Sequence, residues 1–600
     1  MNEYLSQENL NFILFEVLNC SGLTQAEYFK DYNEESLKLL LNSIKDFADR
    51  DLFPSFRGMD NQPAYFENGK IVIHPAFGNI MKKIAALGLM GSTFKSEDGG
   101  LQLPSTIYTA AYFIMGAANN NVPGYSGLTS GAANLINTFG SLTLKEKFVS
   151  NMLSGKWAGT MCMTEPQAGS SLSDIATLAT PADEGSYKIK GQKIFISGGD
   201  HQFCENFIHL TLARIEGAPA GTRGISLFVV PKFREENNEV ADNDVIVAGE
   251  FQKLGQKGYC TTHLIFGDNN NCRGWLVGEP NMGLPYMFKM MNEARIAVGR
   301  DATAVTTAAY YASLNYAKER PQGRRITNAG KKDLSKGQTL IINHADVRRM
   351  LLFQKSIAEG SLSLVLQSAY YNDLMTISEG TEKEKYHLLL ELLTPITKTF
   401  PAERGRVSVS EGLQVLGGYG FTTDFSLQQY YRDIRIMSLY EGSTGIQSLD
   451  LLGRKVPMNN GQALKILAEE INHTIKLSQK HESLKHAAFT LGENLVLAKN
   501  VAEYLLDFVS KGDHERFLSD ATVFMDFMGT IVVGWQWLKM GLTASDALLS
   551  GNKTQTEDFY ESTIHTMKFY FKYEMTRTIG LAKTLLDPEV LTVKRDREVI

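Results

Sequence analysis

Cysteine is scarce in this 600-residue chain: Cys20, Cys162, Cys204, Cys260 and Cys272 are the full set. The number is odd, the spacing irregular, and no C-x-x-C pair occurs, which excludes a disulfide framework and a zinc site of the usual spacing. A reducing, cytoplasmic-type compartment fits that usage. An excess of basic residues is also missing. The formal net charge is −6, whereas a nucleic-acid footprint needs a concentrated basic face. The N-terminus places Glu3 and Glu8 where a secretory signal needs positive charge, and Glu16 interrupts the apolar run from Phe12 to Leu18. The most apolar stretch elsewhere, Phe527 to Leu542, carries Thr530, Gln536 and Lys539 and falls short of the roughly 20 residues of a membrane span. Internal repeats and low-complexity tracts are absent. What remains is an ordinary globular composition, 43% hydrophobic and 21% charged, on a chain long enough for several domains.

Periodicity divides the chain into four parts. Residues 1–159 are mostly helical in pattern: Phe77, Ile80, Met81, Ile84 and Leu87 recur at three- and four-residue steps, before Gly88 and Gly91 end the run. Another apolar helix follows around TIYTAAYFIMGAA. Residues 160–280 read as short strands with turn residues between them: YKIKGQKIFIS, FCENFIHLTLARI, GISLFVVP and CTTHLIFGD. Strands without intervening helices point to a small antiparallel barrel or sandwich. Helical patterning resumes near Leu284, with one helix to Arg300 and a second over 301–320, and 281–457 forms a helical domain. The polar segment 327–339 is an exposed loop. VPMNNG at 456–461 marks a last boundary, after which Leu464, Leu467, Ile471 and Ile475, then Leu497, Val501, Tyr504, Leu505 and Phe508, define amphipathic helices of an added domain, 458–600. The fold class is α+β, mostly α.

Three segments carry candidate chemistry. In MCMTEPQAGSS (161–171), Pro166 stiffens the turn and Gly169, Ser170 and Ser171 expose backbone N–H groups, either as a boundary loop or as a cradle for an anionic or amide edge. In KIFISGGDH (193–201), Phe195 and Ser197 share a strand face and are able to stack on and hydrogen-bond to a flat heterocycle, or to form a plain half-buried strand. LQVLGGYGF (413–421) lacks the preceding strand and following βαβ unit of a dinucleotide fingerprint. Beyond it, Glu441 and Gly442 precede Ser443 and Thr444, which read as the N-cap of a helix through Ile446, Leu449, Leu452 and Val456. The carboxylate there either serves the helix dipole or does chemistry.

Taken together, these segments resemble the acyl-CoA dehydrogenase family over residues 35–456. MCMTEPQAGSS looks like its flavin-contacting loop, KIFISGG like its second flavin strand and LYEGSTGIQ like the segment of its catalytic base. The extension after 460 resembles the larger bacterial branch, which includes methylthiopropanoyl-CoA dehydrogenase. The resemblance implies an N-terminal helical domain, a middle β domain, a C-terminal four-helix bundle, FAD as cofactor, and α,β-dehydrogenation of an acyl-CoA thioester to a trans-2-enoyl-CoA within fatty acid β-oxidation. It implies Glu441 as general base. Met161, Met163, Thr164, Gly169, Ser170, Phe195, Ser197, Ser443 and Gly445 would contact the flavin, and Arg320, Gln322, Gln414 and Gly418 the FAD of a neighbouring subunit. Ser170, Asn292, Arg295, Tyr440 and Gly442 would face the acyl-CoA. The sequence departs from common forms at Phe195 (often tryptophan), Ser197 (often threonine) and Asn292 (often acidic).

That chemistry takes a proton from Cα and a hydride from Cβ; no side chain accepts hydride, so the cofactor must. A dry pocket would raise Glu441 from about 4.3 toward the operating pH. The resemblance further implies a homodimer or larger assembly, electron-transfer flavoprotein as acceptor, no membrane span and no nucleic-acid partner. An acyl-CoA oxidase reoxidised by O2 and a non-catalytic homologue are the alternatives.

Overall fold

The computed structural model describes residues 3–236, 239–326, 329–551 and 553–594. Contacts divide the chain into two compact units. One joins Met1–Leu39, Ser105–Phe113 and the chain from Arg295 onward; the other comprises Leu40–Pro104 and Ile114–Ala294.

The second unit is built on an eight-stranded sheet. Its strand order runs Val245–Glu250, Thr261–Phe266, Ser186–Ser197, Arg273–Leu276, Ile225–Pro231, Asn206–Ile215 and Trp157–Cys162. Leu178–Pro181 pairs with both Ser186–Ser197 and Asn206–Ile215, so five of the strands close into a small ring. Most pairs are antiparallel. Trp157–Cys162, read from sequence partly as loop, is a buried strand parallel to Asn206–Ile215. Helix Pro123–Phe139 lies directly on it: a Cβ at Gly159 would come within 3.0 Å of the Thr129 backbone, and Thr129 Oγ1 accepts from the Gly159 amide at 3.0 Å. The core joins Ile208, Leu210, Leu212, Leu227 and Val229 of the sheet to Ala132, Ile136, Phe148 and Met287 of the helices. Helix Ala76–Ala86 buries Phe77, Ile80 and Ile84, the predicted stripe.

The first unit is helical. Gly283–Glu319 is one continuous helix rather than two. The Arg300 and Asp301 side chains pair with each other at 2.8 Å inside the fold, and the helix runs on through Gly299 without a break. Gly380–Leu416 crosses it along a seam of small residues: a Cβ at Gly299 would meet the Thr397 carbonyl oxygen at 2.0 Å, one at Gly405 would meet Thr306 Oγ1 at 2.3 Å, and one at Gly412 would meet Ser313 Oγ at 2.7 Å. Pro401, inside this helix, has no N–H for the carbonyl of Thr397 four residues earlier, so that carbonyl is free to face Gly299.

At the expected boundary, 456–461, stands a run of three left-handed residues, Asn459, Asn460 and Gly461. The helices beyond it do not stand apart. Ala521–Ser550 inserts Trp537 against Gly360 of helix Ala345–Ile377, with the indole N–H donating to the Ser356 carbonyl at 2.9 Å. Ser363 Oγ donates to Gln536 Oε1 at 2.9 Å. This helix contains the apolar stretch Phe527–Leu542. Among the described residues no helix is long and apolar enough to cross a membrane. In the polar segment 327–339, Thr327 and Asn328 lie outside the described residues; the rest carries no helix or strand and is mostly exposed.

Candidate active site

Two sets of residues emerge, one in each unit. In the β unit, loop and strand are laced together. The Ile194 amide donates to the Thr164 carbonyl at 2.9 Å and Lys193 Nζ to the Met163 carbonyl at 3.1 Å. Beneath the loop, the buried Glu165 carboxylate accepts from Lys193 Nζ at 2.7 Å, Thr177 Oγ1 at 2.6 Å, the Ala176 amide at 2.7 Å and the Thr177 amide at 3.1 Å. Burial acts to raise this carboxyl, but the Lys193 charge and the hydrogen bonds outweigh it and hold the pKa below the ordinary value. Met161, Met163 and Thr164 are thereby held half-buried beside the exposed Gly169 and Ser170.

Phe195 is not placed by simple strand alternation, as the sequence reading assumed for it and Ser197. Its φ is +57°, at a register shift opposite Thr262–Leu264. A left-handed residue in a strand breaks the pleat and re-aims its side chain. The ring rests at 4.5 Å from that of Phe251 and remains 57% exposed. Thioethers, hydroxyls and an exposed aromatic face are the donor set a flat, polar-edged ring system such as isoalloxazine requires. These residues fit that group.

In the helical unit, Glu441 opens the turn before helix Thr444–Asp450, with Ser443 at its N-cap position. Glu441 has φ +53° and Gly442 φ +85°. The strain is held from both sides: Gln447 Nε2 donates to the Glu441 carbonyl at 2.9 Å, and Lys398 Nζ to the Gly442 carbonyl at 2.9 Å. A side chain at Gly442 would also strike Gln447 Nε2, 2.6 Å from its Cβ. The Glu441 amide N–H has no partner among the described residues. Burial raises the Glu441 carboxyl above its ordinary value; Lys398, then Arg295, oppose the rise.

The other expected residues are distributed as follows. Tyr440 donates to Met437 Sδ at 3.0 Å. Arg295 is buried and paired with Asp450 at 2.9 Å; Asn292 is half-buried on the same helix, in the part that belongs to the β unit. Gly445 is exposed with no side chain nearer than 4.0 Å to its missing Cβ. The Arg320 guanidinium lies 5.8 Å from the Tyr419 ring in the turn Gly417–Phe421 that holds Gly418, and Gln414 is exposed at the end of helix Gly380–Leu416. Gln322 sits in a neighbouring turn, its amide donating to the Thr339 carbonyl at 2.9 Å. Met287 and Met291 belong to the β-unit core; the Met290 side chain lies outside the described residues.

Sequence reasoning passed over Glu165, Lys193, Gln447 and Lys398. For Lys398 a signal existed, a lone cation inside the apolar run LLTPITKTF. All five cysteines are free, and no group of His, Cys, Asp or Glu among the described residues could hold a metal ion.

Residues 34–156, 160–269 and 281–456 match the models of the acyl-CoA dehydrogenase N-terminal, middle and C-terminal domains, and 467–593 that of an acetyl-CoA dehydrogenase C-terminal-like domain. The 3-methylmercaptopropionyl-CoA dehydrogenase of Ruegeria pomeroyi is 34% identical over 93% of this chain and 94% of its own. A butyryl-CoA dehydrogenase of Syntrophomonas wolfei is 33% identical over 97% of each chain. The structure of an acyl-CoA dehydrogenase from Bacillus anthracis, complexed with FAD, superposes with a TM-score of 0.74 at 20% identity, covering 96% of this chain and 91% of its own. The chain belongs to the acyl-CoA dehydrogenase family.

Proposed function

We propose that the protein is an FAD-dependent dehydrogenase that converts an acyl-CoA thioester to its trans-2-enoyl-CoA, with Glu441 as the general base. The observation that carries this reading is the turn at Glu441: both carbonyls pinned, its amide N–H uncommitted, and its carboxylate raised by burial. A carboxylate tuned upward is a better base near neutral pH. The thioester α-proton goes to its Oε. The Glu441 N–H is the donor for the thioester carbonyl, where negative charge gathers as the proton leaves; losing such a donor costs about 3 kcal/mol. The flavin, when bound, supplies the acceptor for the Cβ hydride. Phe195, Met163, Thr164 and Ser197 are the residues that would hold its ring, with Met161, Gly169 and Ser170 in the same loop and Ser443 and Gly445 along its ribityl and phosphates.

The same reading makes the enzyme a homo-oligomer, in which Arg320, Gln322, Gln414 and Gly418 reach a neighbouring subunit's FAD. It passes electrons to an electron-transfer flavoprotein and works in the cytoplasm in β-oxidation. Unpaired cysteines support the compartment, and the exposed patch around Arg320 and Tyr419 supports the assembly.

The test is anaerobic titration of the flavin-loaded protein with a panel that includes butyryl-CoA and 3-methylmercaptopropionyl-CoA, beside Glu441→Gln. Wild type should bleach with at least one thioester and the variant with none. A wild type that no acyl-CoA bleaches, or a variant that bleaches equally, sinks the reading. Peroxide formed in air without another acceptor would convert it to an oxidase.

A further inference from the structure

Lys398 is fully buried in helix Gly380–Leu416, within a stretch from Leu392 to Phe400 whose every member is buried. A buried ammonium is costly unless paired and hydrogen-bonded, yet among the described residues no carboxylate is in ion-pair contact with it, and its one hydrogen bond runs to the Gly442 carbonyl. The charges around it are otherwise committed. Arg295 pairs with Asp450 at 2.9 Å, and Arg454 with the same carboxylate at 3.3 Å. Arg300 pairs with Asp301 and lies 4.9 Å from the Tyr112 ring. Glu403 accepts from Thr444 Oγ1 and pairs with Arg406 at 3.1 Å. From the C-terminal helices, Glu574 binds Arg404, and Arg577 binds Asp526. Glu441 and Glu403 are the anions that stabilise the charged form of Lys398, while burial and Arg295 oppose it.

We propose that Lys398 is a positioning residue for Glu441, an inference that rests on Glu441 being the base. Its ammonium clamps the Gly442 carbonyl and so fixes the left-handed Glu441–Gly442 turn, and its charge keeps the buried carboxylate ionised and ready to accept a proton. The clamp is set at a fixed depth: Lys398 follows Thr397, whose carbonyl touches Gly299 directly. Burial pushes the ammonium down to about 8, so it remains mostly charged at neutral pH.

The test uses the flavin-loaded enzyme and an acyl-CoA that reduces wild type, so failure of the base assignment itself would appear earlier, as a wild type that no thioester bleaches. The readout is the rate of flavin reduction against pH, with retained flavin and melting temperature reporting the fold. Lys398→Gln should move the acid limb up by about one pH unit and slow reduction at neutral pH roughly tenfold, with KM little changed. Lys398→Arg, which keeps the charge, should hold the limb near that of wild type. A folded Lys398→Gln with a wild-type limb, or equal displacement in both variants, overturns the proposal. If Lys398→Gln loses flavin or precipitates, Glu403→Gln decides: without one of the two anions that stabilise the charged ammonium, Lys398 should give up its proton at lower pH and the alkaline limb of flavin reduction should move down. An unmoved limb there overturns the proposal equally.

Discussion

Lys193 Nζ and Glu165 Oε1 lie 2.7 Å apart, and neither side chain exposes more than 3% of its surface. This pair ties the loop that follows strand Trp157–Cys162 to strand Ser186–Ser197, and so sets where Met163, Thr164 and Phe195 stand. Lys193→Met would leave the carboxylate buried without its cation, a loss of about 3–5 kcal/mol. The expected outcome is a large drop in melting temperature and in bound flavin, with part of the stability restored in Glu165→Gln/Lys193→Met. A single variant that melts with wild type would show that the pair does not hold the loop.

Glu441 links stability to pH in a defined direction. Its folded pKa is raised from the ordinary 4.5 by burial, so the folded state holds the proton more tightly than the unfolded chain. The contribution is fully present below the unfolded value and is lost as pH rises through the folded one. Glu441→Gln should therefore be stabilised relative to wild type at neutral pH, with the gain shrinking as pH falls toward 4.5. Paired thermal melts across that range check it; a constant difference would contradict the raised pKa.

Helices and strands were largely readable because their apolar spacing is a direct image of burial: Phe77, Ile80 and Ile84 face inward, as do Ile208, Leu210 and Leu212. What escaped was set by groups distant in sequence. Trp157–Cys162 is a strand because Asn206–Ile215 receives it. Phe195 departs from alternation at a bulge whose partner strand comes some 65 residues later. The turn at Glu441 was legible through the N-cap pattern at Ser443 that follows it. The lysine that steadies this turn was not, since a cation in an apolar helix announces burial without naming its partner.

The extension helix Ala521–Ser550 is seated on the bundle through Gly360, where a Cβ would stand 2.6 Å from Trp537 Nε1 and 2.7 Å from Val533 Cγ1. Gly360→Ala should cost about 1–3 kcal/mol through overpacking, read as a lower denaturant midpoint. A chain ended after Pro457 would bare the surface around Ser356, Gly360 and Ser363 and should aggregate. A soluble, monodisperse truncation would show instead that these helices are dispensable to the bundle.

Phe421 is 98% exposed at the end of the GGYGF turn, beside the patch formed by Arg320, Gln414 and Tyr419. If this patch meets a second copy, Phe421→Ser should weaken self-association without changing the melting of the subunit. Light scattering over a dilution series would show mass falling toward 66.7 kDa at higher concentration than for wild type. A wild type already at that mass would remove the patch from any role in assembly.

The contact of Gly299 with the Thr397 carbonyl has a mechanical corollary. Two backbones that touch leave no cushion of side chains to absorb an error, so one added methyl group would lever the helices apart and carry Lys398 with them. The Glu441–Gly442 turn would then lose an anchor through a change on a different helix. Gly299 thereby acts as the fulcrum of the turn that Lys398 clamps.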